Sequence, residues 1–422
     1  MNFALVLKGL SNWPRSTYDQ AMHSQDATTL PADALQAVAL TITWQENGHE
    51  CEDVWQSERG APTPKRVVLA DDTLSADSAY RLACAGTGML WRGDFQNARL
   101  LLQALARRCD APKKVRRASK TNPEVTHSPQ ENFHLHRQAQ SQRARTLSMI
   151  LIQVNPDRQI SLRRAPDWRE AMKEAWGPAG TTGCVTSLRE LLGLVGAHEW
   201  HQKGMEISAL GSAPHNRIHP SYGVFSPVRG EYIQLVADAP LPSTELAFDI
   251  GVGTGVLSAV LAKRGVKRVM GTDLDIRALA CAKENIQRLG LQGKVELTQA
   301  DLFPEGKAPL IVCNPPWLPA RASAPIERAI YDENSAMLKG FLAGLAAHLT
   351  PKGEGWLILS DLAEHLGLRT RAELEEWIAV AGLKVIDKLD TKAEHKKAQD
   401  ESDPLHAARA AEVTSLWRLA AK

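Results

Sequence analysis

Residues 249–255 read Asp249-Ile250-Gly251-Val252-Gly253-Thr254-Gly255, and the expected fold follows from what flanks them. An apolar run, Glu245–Ile250, leads in, and a helix-forming run, Val256–Lys263, leads out. Three glycines on alternate positions let the backbone turn tightly and approach a ligand. Downstream the pattern repeats. Strands are expected at Arg268–Thr272, Val295–Leu297, Leu310–Cys313, Trp356–Leu359, Lys384–Lys388 and Val413–Leu419. Between them Ile276–Leu289, Ala336–Leu349 and Arg371–Ala381 have helical character. Such alternation predicts an α/β fold with a parallel sheet covered on both faces. Ligands of these sheets bind beyond the carboxyl ends of the strands, where strand order reverses.

A glycine loop by itself is a weak signal, because dinucleotide-binding proteins share it. Two details point elsewhere. The spacing is GxGxG, not GxGxxG, and Asp249 stands two residues before Gly251. A carboxylate there would repel a pyrophosphate but suits S-adenosylmethionine, which carries a sulfonium and an ammonium. Asp273 follows the second strand, about twenty residues on, where an acid accepts bonds from ribose hydroxyls. Asp301 follows the third, placed to accept from an adenine amino group, with Leu302 and Phe303 flanking the ring. Any one of these acids could be a helix cap; three at successive strand ends argue for a cofactor site of Asp249, Gly251, Gly253, Gly255, Asp273, Asp301 and Leu302.

The fourth strand runs into Asn314-Pro315-Pro316-Trp317. Adjacent prolines fix the backbone and remove donors. The Asn314 amide oxygen and the Pro315 carbonyl then form two acceptors for a substrate –NH2, orienting its nitrogen toward a methyl donor. Trp317 offers a flat face for a base or amide plane. The same four residues would otherwise be a turn with a core tryptophan.

At this point the chain resembles the class I methyltransferases of the Asn/Asp-Pro-Pro-aromatic, small-domain group, over roughly residues 220–420. The segment Val224–Tyr232 looks like that group's pre-core motif, which implies that Phe225 packs against the cofactor. Gly255–Ser258 is similar to the ribosomal RNA guanine methyltransferases, and Phe225-Ser226-Pro227 to the glutamine methyltransferases. Tryptophan stands where Tyr or Phe is commoner, and no histidine follows it as in the ribosomal RNA subgroup. The resemblance implies a Rossmann-like seven-stranded sheet whose last strand is antiparallel, with an N-terminal α/β or α+β accessory domain. It also implies a long charged loop, 390–412, in the final hairpin.

At 422 residues, 44% hydrophobic and 23% charged, the chain suits two or three globular units. The expected division is 1–106 accessory domain, 107–132 basic linker or surface loop, 133–215 second part of the substrate-binding region, and 216–422 methyltransferase domain. Helices are expected at Phe95–Leu105 and Trp168–Trp176, and a buried strand at Leu147–Val154. Gly86-Thr87-Gly88 reads as a turn, and His198, Glu199 and His201 as a helix surface. Six cysteines without CxxC spacing argue against a zinc site or a disulfide framework. No run reaches membrane-spanning length. A cytoplasmic, metal-free protein is the expectation.

The net charge of +2 is uninformative, but its distribution is not. From Arg107 to Arg169 there are fourteen lysines and arginines against five acids, an excess that could track a phosphate backbone. Phe133, His134, His136, Trp168 and Trp176 lie among them as candidate stacking partners. The expected substrate is therefore an exocyclic amine of adenine or guanine in nucleic acid, RNA before DNA. The alternative is a glutamine amide on a translation factor or ribosomal protein, because the acceptor pair serves an amide equally well. A solvated basic linker is the plainer account of the charge run.

Overall fold

A computed structural model describes residues 40–111, 127–392 and 399–422, and Thr41–Lys422 forms one compact unit. It begins with strands β1 (Thr41–Glu46) and β2 (His49–Trp55). Asn47 and Gly48, at φ 52° and 80°, close the two-residue turn that left-handed residues favour. Then come β3 (Arg66–Ala70), α1 (Ala76–Cys84), β4 (Thr87–Trp91), α2 (Phe95–Asp110), α3 (Pro129–Leu147) and β5 (Ile150–Val154). They are followed by α4 (Arg169–Trp176), β6 (Cys184–Ser187), α5 (Leu188–Lys203), and the short pair β7 (Met205–Glu206) and β8 (Arg217–Ile218). Six strands form a mixed sheet in the order β1-β2-β6-β5-β4-β3.

Helix α2 forms because Asp94 caps it, accepting from Gln96 N at 2.9 Å, and because Phe95, Ala98, Leu101, Leu102 and Leu105 make one apolar stripe. Helix α3 starts at a capping box between Ser128 and Glu131, with Pro129 in its first turn. The expected strand from Leu147 therefore begins three residues later, since Leu147 still belongs to α3. Gly86 does turn, at φ 77°, but Thr87 and Gly88 belong to the fully buried strand β4. The turn expected over all three residues is corrected accordingly: burial outweighs the glycine signal. The lysines and arginines at 113, 114, 116, 117 and 120 lie outside the described residues.

The second half adds α6 (Glu231–Asp238), β9 (Leu246–Ile250), α7 (Val256–Lys263), β10 (Arg268–Asp273), α8 (Ile276–Arg288), β11 (Val295–Gln299) and β12 (Ala308–Cys313). After these come α9 (Ala336–His348), β13 (Leu349–Ser360), α10 (Leu362–His365), α11 (Arg371–Val380), β14 (Leu383–Lys392), α12 (His406–Ala411) and β15 (Val413–Ala421). Seven strands run β11-β10-β9-β12-β13-β15-β14. All neighbours are parallel except β15, which is antiparallel to both β13 and β14. This is the Rossmann-like sheet the resemblance implied. Separate apolar clusters cover its two faces, one through Val256, Val260 and Trp356, the other through Phe341, Leu345 and Leu357. The long loop of the last hairpin is described only in part; it holds α12.

Strand order reverses between β9 and β12. Ile250 and Cys313 are register partners there, so the glycine loop and the Asn-Pro-Pro-Trp loop leave the sheet side by side. Among the described residues no helix is long and apolar enough to cross a membrane.

Candidate functional site

The loop after β9 is the tight turn its sequence requires. Gly251, Gly253 and Gly255 adopt φ of 75°, 52° and 81°, which L side chains rarely take. A Cβ on Gly251 would lie 2.9 Å from Met337 Cε, and one on Gly255 3.2 Å from Ala282 Cβ. The loop is tied to β10, because Gly251 N and Val252 N both donate to the Thr272 carbonyl, at 2.9 and 2.8 Å. Asp273, at the end of β10, accepts from Gly253 N at 3.0 Å with one carboxylate oxygen and from Asp275 N at 3.0 Å with the other. Burial raises its pKa, against the pull of those N–H groups.

Asp249 sits differently from the expectation. It is 1% exposed and takes the Ser258 hydroxyl at 2.7 Å. It therefore braces the loop from below and presents no open carboxylate. Burial pushes its pKa up to about 6. Asp301 is exposed and has no partner among the described residues. Leu302 follows it at φ 68°, its carbonyl accepting the Thr272 hydroxyl, and Phe303 stacks on His348 at 4.3 Å. Among the described residues no Lys or Arg pairs with Asp249, Asp273 or Asp301. Asp273 and Asp301, at two successive strand ends beside the tight glycine loop and without a cationic partner among the described residues, fit a ligand bearing hydroxyl donors and positive charge. The donor set thus fits S-adenosylmethionine and would reject a phosphate.

In the neighbouring loop Asn314 is half-buried and Pro315 buried. The Trp317 indole N–H donates to Asn314 Oδ1 at 2.9 Å, so one of the two expected acceptors already holds an internal bond. It keeps a second lone pair, and the Pro315 carbonyl has no partner among the described residues. Trp317 is itself engaged: it packs on both apolar clusters of the sheet, and the Arg229 guanidinium lies 4.7 Å from its ring centre. The free stacking face expected from the sequence is thus covered on one side, because the tryptophan is large enough to bridge sheet and pre-core segment.

Arg229 was not singled out in the sequence. Its Nε reaches Glu231 at 2.8 Å and its Nη1 reaches the buried Glu412 at 2.9 Å; Glu412 also receives the Ser360 hydroxyl at 2.5 Å. A charged Arg-Gly-Glu set inside an otherwise apolar motif was the available signal. Glu412 follows the end of α12, 183 residues away in sequence, and had none. Phe225 of the same segment is 38% exposed.

After β13, Asp361 accepts from Val413 N at 2.7 Å, and Glu364 pairs with Arg371 at 2.9 Å, so both are structural. His198 meets Glu174 at 2.5 Å. His201 is buried between Glu174 and Glu284, correcting the helix-surface expectation: α5 packs inward at that turn. Phe133 is 2% exposed and Trp168 packs edge-on to Phe95, so neither is free to stack on bases. Of the described cations between 107 and 169, Arg108, Arg137, Arg143, Arg163, Arg164 and Arg169 are all ion-paired within the chain. Most of the described cations of the stretch are thus held in ion pairs. The cysteines are free, and no group able to hold a metal occurs among the described residues.

Residues 217–376 match the family model described as Methyltransferase small domain. The ribosomal protein L11 methyltransferase of Vibrio parahaemolyticus is 29% identical over 143 residues, covering 34% of this chain and 46% of that protein. A Methanocaldococcus jannaschii protein, provisionally named a protein N5-glutamine methyltransferase, is 31% identical over 113 residues, covering 26% and 55%. The chain thus spans about half the length of the curated relatives it matches. Among solved structures, a methyltransferase from Thiobacillus denitrificans in complex with S-adenosyl-L-homocysteine aligns with TM-score 0.33 and 17% identity, over 52% of this chain and all of that one. The matched region is thus similar to a methyltransferase domain.

Proposed function

We propose that this chain, an S-adenosylmethionine-dependent methyltransferase of the class I fold, methylates the exocyclic amine of a purine in nucleic acid, RNA in preference to DNA. The observation that carries the nitrogen chemistry is the side-by-side exit of the glycine loop and Asn314–Trp317 at the reversal of strand order. Gly251, Gly253 and Gly255 line the cofactor, Asp273 holds its ribose, Asp301 and Leu302 its adenine, and Phe225 its methionine end. Asp249 acts on it only through the loop it braces. Bound there, S-adenosylmethionine supplies an electrophilic methyl group.

The remaining work is positioning. The free lone pair of Asn314 Oδ1 and the Pro315 carbonyl accept the two hydrogens of the substrate –NH2, aiming its nitrogen lone pair at the methyl. Pro316 keeps the turn rigid. The Trp317 indole fixes the Asn314 amide in its rotamer, and Arg229, held by Glu231 and Glu412, fixes the indole. No base is needed, since the nitrogen sheds its proton to water after transfer.

A glutamine amide on a protein is the second reading. It is favoured by the names of the curated relatives, whose likeness covers only the cofactor half. The purified protein supplied with labelled S-adenosylmethionine and, separately, deproteinised RNA, DNA and ribosomal proteins distinguishes the two. Label in RNA supports the first reading, and label only in the protein fraction replaces it with the second.

A further inference from the structure

A cleft of about 600 Å³ opens between the two halves. One wall is α5 and the turn after β2, with Arg59, Arg189 and Trp200; the other is the segment Pro220–Val228, with Tyr222 and Val228, joined by Ile326. The second wall leads directly to Arg229 and so to Trp317. Asn314 and Trp317 themselves do not line the cleft.

Its charges are unevenly satisfied. Glu190 accepts the Ser57 hydroxyl at 3.2 Å and the backbone N–H of Glu58. Glu58 takes the Gln56 amide at 3.0 Å and lies 4.0 Å from Arg277, which also pairs with Asp275 at 3.2 Å. Arg59 and Arg189, by contrast, have neither an ion pair nor a hydrogen bond among the described residues. Arg189 is half-buried, and burial together with the nearby Arg59 charge holds its guanidinium below its usual value. Glu190 acts on both guanidiniums from beyond ion-pair distance; the two like charges are further stabilised by an arriving anion, and a guanidinium fork matches a phosphate. Around them the surface is apolar and open, with Trp200 51%, Val228 61% and Ile326 41% exposed. An aromatic plane beside a cation pair suits a nucleotide, whose base stacks while its phosphate is clamped.

We propose that this cleft binds the RNA substrate next to the methylated position, with a phosphate on Arg59 and Arg189 and a base against Trp200. The assignment rests on the nucleic-acid reading above.

Gly193 provides a probe independent of charge. It lines the cleft from the middle of α5, and a Cβ there would meet nothing within 4 Å. Gly193→Leu therefore narrows the cleft while favouring the helix. Binding of a fluorescein-labelled RNA hairpin with a purine loop is measured by anisotropy over a salt series, alongside S-adenosylhomocysteine binding and thermal melting. Arg59→Ala/Arg189→Gln is expected to weaken hairpin binding about tenfold or more and to flatten the log–log salt slope by roughly 1–2, with S-adenosylhomocysteine affinity kept. Gly193→Leu is expected to weaken hairpin binding as well. If the double variant melts early, the exposed Arg59→Ala alone and Gly193→Leu carry the test. Wild-type affinity and slope in these variants, with RNA still methylated, would overturn the cleft assignment alone. Displacement of a labelled polyglutamate peptide from the cleft, with no hairpin binding by the wild type, would overturn both assignments.

Discussion

The indole N–H of Trp317 donates to the amide oxygen of Asn314 across 2.9 Å, and this bond sets the direction in which the loop after β12 presents its acceptors. Asparagine amides rotate readily about their last torsion. The bond fixes which way the Asn314 oxygen points, and its second lone pair is left for the substrate.

Trp317→Phe keeps an aromatic ring under Arg229 and removes only the N–H. The expected result is kcat reduced about fivefold, the equivalent of one ordinary hydrogen bond, with donor KM unchanged. An increase in kcat would mean that the indole blocks the oxygen instead of aiming it.

Asn314→Ala removes the acceptor itself. Transfer should fall by about 10²–10³, the scale of losing one preorganised polar contact to the reacting group. Cofactor affinity by calorimetry should stay within about twofold; a parallel loss would assign Asn314 to the cofactor.

Asp273→Ala should weaken S-adenosylmethionine binding by about 1–3 kcal/mol, because it removes the acceptor for ribose and frees Gly253 N. Unchanged affinity would place the ribose elsewhere.

Asp249 ties stability to pH. Burial raises its folded-state pKa from 3.8 to about 6, so the folded protein retains a proton that the unfolded chain releases between those values. Stability contributed by this group is present below pH 3.8 and is lost as pH rises to about 6, on the order of 3 kcal/mol in all. Asp249→Asn should therefore raise the melting temperature at pH 7 and flatten its decline across that window, while weakening binding of the cationic cofactor. A lower melting temperature at pH 7 would show that the ionised form is better solvated than its burial implies.

Arg229→Met strips the buried Glu412 of its cation. Breaking one partner of a buried pair costs about 3–5 kcal/mol, and Glu412→Gln in the same chain should restore much of it. If the double variant melts no higher than Arg229→Met, the ion pair is not what fails.

The methyltransferase sheet was legible because its information is local. Glycines at positive φ, acids at strand ends and a proline pair after a strand each announce themselves within a few residues. The expected strand and helix bounds from 245 to 419 fall within a few residues of those observed, except that β13 and β14 run longer. What was not legible depends on distance along the chain. Nothing near Glu412 indicates that Arg229 will reach it, and Asp249 reads as an open carboxylate until Ser258 and the sheet close over it. The basic stretch depends on distance in the same way: a count of arginines does not show that Asp110, Asp94 and Glu327 pair with Arg143, Arg163 and Arg137.

The central claim is tested most directly by labelled methyl transfer from S-adenosylmethionine into an extract of cells lacking this protein, comparing the wild type with Asn314→Ala. The account predicts label that RNase releases and protease does not, absent with Asn314→Ala. Label released by protease alone, or transfer undiminished in Asn314→Ala, would contradict it.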